Sequence, residues 1–177
     1  MSKDIFTEIN NVVLDLQASQ LQTYERPLKK LAQLLKHPDL EPYNNGLVAN
    51  LDLDIFLEKS EQTASSMVGS ASLDWPEDPR EELGMTLLLI WKLAADPSYT
   101  VDFSINFFYS GKKIISNIHA LTSQLIIPFI RDYKNYIQSK GIPQTMLTPP
   151  LSKKVLLFMG TMKVLVKKWL VFWNVLV

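Results

Sequence analysis

Few residues in this chain have the types and spacing that chemistry requires. There are two histidines, His37 and His119, and no cysteine. Disulfides, thiolate zinc sites and cysteine nucleophiles are thereby excluded. His37 falls at the expected C-terminus of a helix, where a cation is mildly favoured. His119 lies beside the apolar stripe of a long expected helix. Neither has a second histidine at zinc-site spacing, so both read as structural residues and no metal is expected. The run 66–72, Ser-Met-Val-Gly-Ser-Ala-Ser, is small and rich in hydroxyls. Backbone amides and hydroxyls suit a phosphate, which makes Ser66, Ser70 and Ser72 candidates for holding a nucleotide or other cofactor. The run lacks the glycine-lysine pattern of a P-loop, and a small-residue strand packed against a helix accounts for it more simply.

Arg131 is the remaining ligand candidate; with Asp132 and Lys134 beside it, a solvated helix face is the simpler reading. Asp74, Glu77, Asp78, Glu81 and Glu82 form an acidic cluster that helix capping explains. A carboxylate pair for acid–base work would want a histidine or metal nearby. No catalytic residue and no bound cofactor are therefore expected. Trp91 and the run Phe107-Phe108-Tyr109 read as core or interface. Surfacing together, they would make an apolar patch suited to self-association.

The elements that must position these residues are mostly helical. Ile5, Ile9, Val12, Val13 and Leu16 recur at helical spacing. A second helix is predicted from Pro27, with Leu28, Leu31, Leu34 and Leu35 inward, ending at His37-Pro38. Pro42 and Asn45-Gly46 predict a loop. Asp52 or Asp54 caps a short helix through Leu57 and Glu61. Met67, Ala71, Leu73 and Trp75 at even spacing predict a strand near 66–74. Asp78-Pro79-Arg80-Glu81 is a strong helix start, with Asp78 as N-cap and Glu81 completing a capping box. That helix spans 79–95, is apolar all round at 87–90, and stops at Asp96-Pro97. Val101, Phe103, Ile105 and Phe107 alternate with polar residues and predict a second strand near 100–108. A helix over 113–139 buries Ile114, Ile118, Leu121, Leu125, Phe129 and Tyr133. Pro128 should kink it, and Gly141 should end it. The expected fold is an α+β domain, mostly helical, over 1–141, with a linker at 142–154.

At 177 residues, 47% apolar and 20% charged, the chain can bury a core. Its formal net charge of +0 offers no basic field for nucleic acid. The N-terminus carries no signal-peptide apolar run, and the expected location is the cytoplasm.

Residues 155–177 resist every ordinary structural reading. They are long enough to span a membrane, which takes about 20 residues. Yet Lys163, Lys167 and Lys168 would lie mid-span, each costing about 2.5–3.5 kcal/mol at a helix centre. Read one base out of register, with each hidden codon taking the last base of one codon and the first two of the next, the tail makes sense. Met159-Gly160 forces glycine, Met162-Lys163 forces glutamate, Phe172-Trp173 forces leucine and Trp173-Asn174 forces glutamate. Phe158-Met159 allows only histidine or tyrosine. The hidden frame can spell F-I-V-H-G-H-D-E-G after Lys153-Lys154-Val155, and later V-A-R-F-L-E-R.

That text resembles the opening of the TIR-like domain of prokaryotic predicted nucleotide-binding proteins, which begins K-V-F-I-V-H-G-H-D-E and continues toward A-R-F-L-E. Four upstream stretches also resemble the region that precedes such domains. They are residues 53–58 (LDIFLE), 66–71 (SMVGSA), 83–90 (LGMTLLLI) and 126–133 (IIPFIRDY). The resemblance implies a parent of the NAD-hydrolysing, anti-phage effector type. It also implies that a frameshift near Val155 has replaced the TIR-like domain, since Met159-Gly160-Thr161-Met162-Lys163 stands where H-G-H-D-E would be. What remains would be a bacterial, non-catalytic sensing, oligomerising or regulatory module. Its implied partners are other copies of itself, the TIR-like domain of the intact protein and a small-molecule trigger. Two alternatives stay open: a stand-alone small-ligand or nucleotide binder with a closed pocket at 66–72, and a membrane-associated protein anchored by 155–177.

Overall fold

The structure, a computed structural model, describes residues 4–140. Among them the regular structure is all helical: α1 Ile5–Gln17, α2 Glu25–Leu35, α3 Glu41–Val48, α4 Leu53–Gln62, α5 Pro79–Ala95, α6 Pro97–Phe107, α7 Ile114–Leu121 and α8 Ile127–Ser139. A 3-10 turn at Pro38–Leu40 precedes α3, and a π-helical turn at Thr122–Ile126 joins α7 to α8. The linker and the tail at 155–177 lie outside the described residues, as does Gly141.

The core forms around α5. Leu87, Leu89, Ile90 and Leu93 are fully buried, each large apolar side chain contributing roughly 1.5–3 kcal/mol. Helices α2, α3, α6 and α8 all pack on α5, and α1 packs on α2 and on the π turn. Asp78 accepts from the Arg80 N–H at 2.8 Å and starts α5 as expected, with Pro79 in its first turn. Asp52 caps α4 in the same way, through the N–H groups of Asp54 and Ile55.

Neither expected strand forms among the described residues. Residues 97–107 make α6 instead. Asp96 both closes α5 and caps α6, accepting from the Tyr99 N–H at 3.0 Å. Tyr99, Phe103 and Phe107 are spaced by four, a step shared by strand and helix periods, and their rings run down one helix face. Residues 66–74 form an irregular loop closed by hydroxyls. The Ser70 Oγ accepts from the Ser65 N–H at 2.8 Å, and the Thr63 Oγ1 accepts from the Ser72 N–H at 2.8 Å. Side chains thus take the place of a partner strand.

Two boundaries also differ. Helix α2 starts at Glu25, placing Pro27 in its first turn, where the N–H would have no intrahelical partner. Residues 41–48, expected as a loop, are α3, with Pro42 in its first turn. Asn44 explains why the helix wins. It is buried, its Nδ2 donates to the Leu35 carbonyl at 2.7 Å, and its Oδ1 accepts from the Tyr133 hydroxyl at 2.6 Å. Burial pushes the Tyr133 phenol well above its ordinary range, so it stays a donor to Asn44. Tyr133→Phe is expected to cost about 1–3 kcal/mol by orphaning the Asn44 oxygen, measurable as a lower urea midpoint. An unchanged midpoint would mean that the bond is dispensable.

The rod from α7 to α8 matches the expected long helix. Ile118, Leu121, Leu125, Phe129 and Tyr133 are buried along it, with Ile114 half-buried. Pro128 acts where the sequence placed its kink. It has no N–H to offer the Gln124 carbonyl, and the preceding turn widens so that the Ile127 N–H reaches Thr122 O.

Candidate functional site

A half-open cleft of about 630 Å3 lies between the start of α5 and the π turn and α8. That volume suits a small molecule. Each wall follows from local sequence. Pro128 and the π turn present Gln124, Leu125 and Phe129. Helix α8 adds Asp132 and Tyr136 one and two turns on. The first turns of α5 add Arg80, Glu82 and Thr86, and Trp75 and Phe108 come from the segments beside them.

Most polar groups of the cleft already hold the fold. Asp78 caps α5. The Arg80 guanidinium donates to the Gly46 carbonyl at 2.8 Å and ties α5 to α3. The Thr86 hydroxyl donates to Glu82 O at 2.8 Å. Asp132 accepts from Arg131 at 2.8 and 3.0 Å through both oxygens. That hydrogen bonding holds the Asp132 carboxyl below its usual range. Among the described residues the Glu82 carboxylate enters no such hydrogen bond or ion pair.

The sequence candidates fall in separate places. Ser66, Ser70 and Ser72 sit on the 63–75 loop, and none of them lines the cleft, although Trp75 at the end of that loop does. Ser70 and Ser72 are engaged with Ser65 and Thr63. Arg131 is exposed on α8 and committed to Asp132. The loop is seated by Gly69, whose φ of +73° is left-handed and where a Cβ would lie 2.2 Å from the Tyr109 Cβ. Met67, Val68 and Tyr109 consequently form an exposed apolar tip. His37 Nδ1 accepts from the Asp39 N–H and caps the 3-10 turn. His119 Nε2 donates to the Ser19 carbonyl at 2.9 Å, joining α7 to the end of α1. Trp91 is half-buried beneath Lys36, with its Nε1 unpartnered among the described residues.

Sequence reasoning missed the cleft as a site. Glu82 was read as part of a capping cluster, while Gln124 and Tyr136 carried no signal of their own. Pro128 was the one available sign, because it marks where the helix must open.

No protein-family model matches the chain, and no solved structure does. The chain is similar to the uncharacterized protein YuaY of Escherichia coli (strain K12), with 43% identity over 160 residues, which is 90% of this chain and 53% of YuaY. It therefore spans about half the length of that relative.

Proposed function

We propose that this chain is the non-catalytic sensing or regulatory module of a larger TIR-like, NAD-consuming defence effector. The observation that supports the reading is the cleft on α5: it has the size for a small-molecule trigger, while Asp78 is engaged in a helix cap, Arg80 in a tie to α3 and Asp132 in a pair with Arg131. A catalytic centre needs groups free to move protons or attack; Asp78, Arg80 and Asp132 are engaged, and Glu82 stands as a single carboxylate with no histidine on the cleft to work with. The hidden H-G-H-D-E text of the tail, and a relative about twice as long as the matched region, fit a parent with a further domain. The cytoplasm is the compartment in which such an effector would meet NAD.

Self-association belongs to the same proposal. The tip formed by Met67, Val68 and Tyr109 is the surface suited to it. Sedimentation of the purified chain should show a concentration-dependent oligomer, and a monomer at every concentration would contradict this part. The chain itself should not hydrolyse NAD. Incubated at high protein concentration, it should leave the nucleotide intact; turnover that follows the protein through purification would overturn the non-catalytic reading.

A stand-alone ligand binder is the second reading, favoured by the same cleft rather than by the 66–72 run. Membrane attachment would rest on 155–177, outside the described residues. Among the described residues no helix is long and apolar enough to cross a membrane.

A further inference from the structure

We infer that the cleft binds a small organic cation carrying an ammonium or guanidinium group. Three features of the walls converge on that class. The first is aromatic surface. Trp75, Phe108, Phe129 and Tyr136 line one space although they come from well-separated parts of the chain. Ring faces attract cations, and more strongly where water is partly excluded. Tyr136 already shows this behaviour, with the chain's own Lys140 Nζ 5.7 Å from its ring centroid.

The second feature is charge. Asp78, Glu82 and Asp132 line the cleft against a single guanidinium, that of Arg80. Arg131 neutralises Asp132, and Arg80 is turned to the Gly46 carbonyl. Glu82 is left as the carboxylate with no partner to displace among the described residues. A phosphate would meet these carboxylates, and the donors at the start of α5 offer it little, because Asp78 already caps the Arg80 N–H at 2.8 Å.

The third feature is the wall that the π turn contributes. The π turn forced by Pro128 places Gln124 on the cleft, where its exposed amide offers an oxygen to an N–H donor. π turns inside α-helices recur where a ligand must be accommodated. Aromatic lining, one carboxylate without a partner among the described residues and one amide oxygen together suit a compact cation with N–H donors and an apolar stem. Use of that cation as a trigger rests on the sensing role proposed above; occupancy of the cleft does not.

Calorimetric titration of the full chain tests the inference, with agmatine and tetramethylammonium as cationic probes and inorganic phosphate as the anionic one. Agmatine should bind saturably at one site. Glu82→Gln should weaken it by about tenfold, and Glu82→Lys further, with helical circular dichroism showing that both variants remain folded; the lysine, in the first turn of α5, should also lower the thermal midpoint slightly. Glu81→Gln, one residue away and not on the cleft, should bind as the parent does. Absence of saturable heat with both cations would overturn the inference. So would binding of phosphate alone, or an equal loss in Glu81→Gln. Saturable agmatine binding that leaves self-association unchanged would uphold the site and count against the sensing role.

Discussion

Phe103→Ala should lower the stability of the helical domain by about 4 kcal/mol, the range for removing a fully buried phenylalanine. Phe103 is 1% exposed. Its ring lies 4.7 Å from that of Phe107, 5.8 Å from Tyr99 and 5.9 Å from Phe108, centroid to centroid. Truncation removes the middle of that aromatic stack and leaves a cavity. The cavity cannot close cheaply, because α6 is tied to α5 one turn before the ring. The Thr100 hydroxyl donates to the Leu93 carbonyl of α5 at 2.6 Å. Phe107→Ala, at a half-buried position, should cost clearly less. Urea unfolding followed by helical circular dichroism would read both values. A loss below about 1 kcal/mol for Phe103→Ala would show that the stack is not a core element.

Gly84→Val should cost about 3 kcal/mol through overpacking. A Cβ at Gly84 would stand 2.3 Å from the Leu47 carbonyl oxygen, 2.9 Å from the Leu47 carbonyl carbon and 2.7 Å from the Leu51 Cδ1. The leucine methyl can rotate away, but the backbone of α3 cannot. Relief requires α3 and α5 to separate, which would also strain the Arg80 bond to Gly46 O. Gly84→Ala meets the same oxygen yet regains up to about 1 kcal/mol of helix propensity, so its net loss should be smaller. Thermal unfolding of the two variants should rank them in that order. A neutral Gly84→Val would mean that the close approach of α3 to α5 is not required.

These two sites show what the sequence could and could not reveal. The stop at Asp96-Pro97 is legible in the sequence, but the same aspartate also caps the next helix, which the stop alone does not announce. The alternation through Phe103 then read as a strand, because a step of four satisfies both periods. What decided for the helix were the Asp96 cap and hydroxyl bonds such as that of Thr100 to Leu93 O, and they are tertiary facts as much as local ones. Gly84 gave no sign of its role, since a glycine inside an apolar helix run does not reveal which backbone approaches it. Asn45-Gly46 read as a turn because the buried bonds of Asn44 to Leu35 and Tyr133 span long stretches of chain. By contrast, α1, α4, α5 and the Pro128 break follow from caps, prolines and apolar spacing that act locally. The cleft was the least legible feature. Its walls come from the 63–75 loop, α5, Phe108, the π turn and α8, and only Pro128 hinted that something opens there.

The proposed role makes this chain a module of a TIR-like effector whose next domain is hidden by a shifted reading frame. Sequencing the gene from the codon of Pro143 to a few hundred bases beyond the stop tests it most directly. The expected result is a shifted frame that stays open and encodes a TIR-like domain beginning with the H-G-H-D-E text. A shifted frame that closes at once would contradict the claim, make residues 155–177 a genuine tail and bring the membrane reading forward.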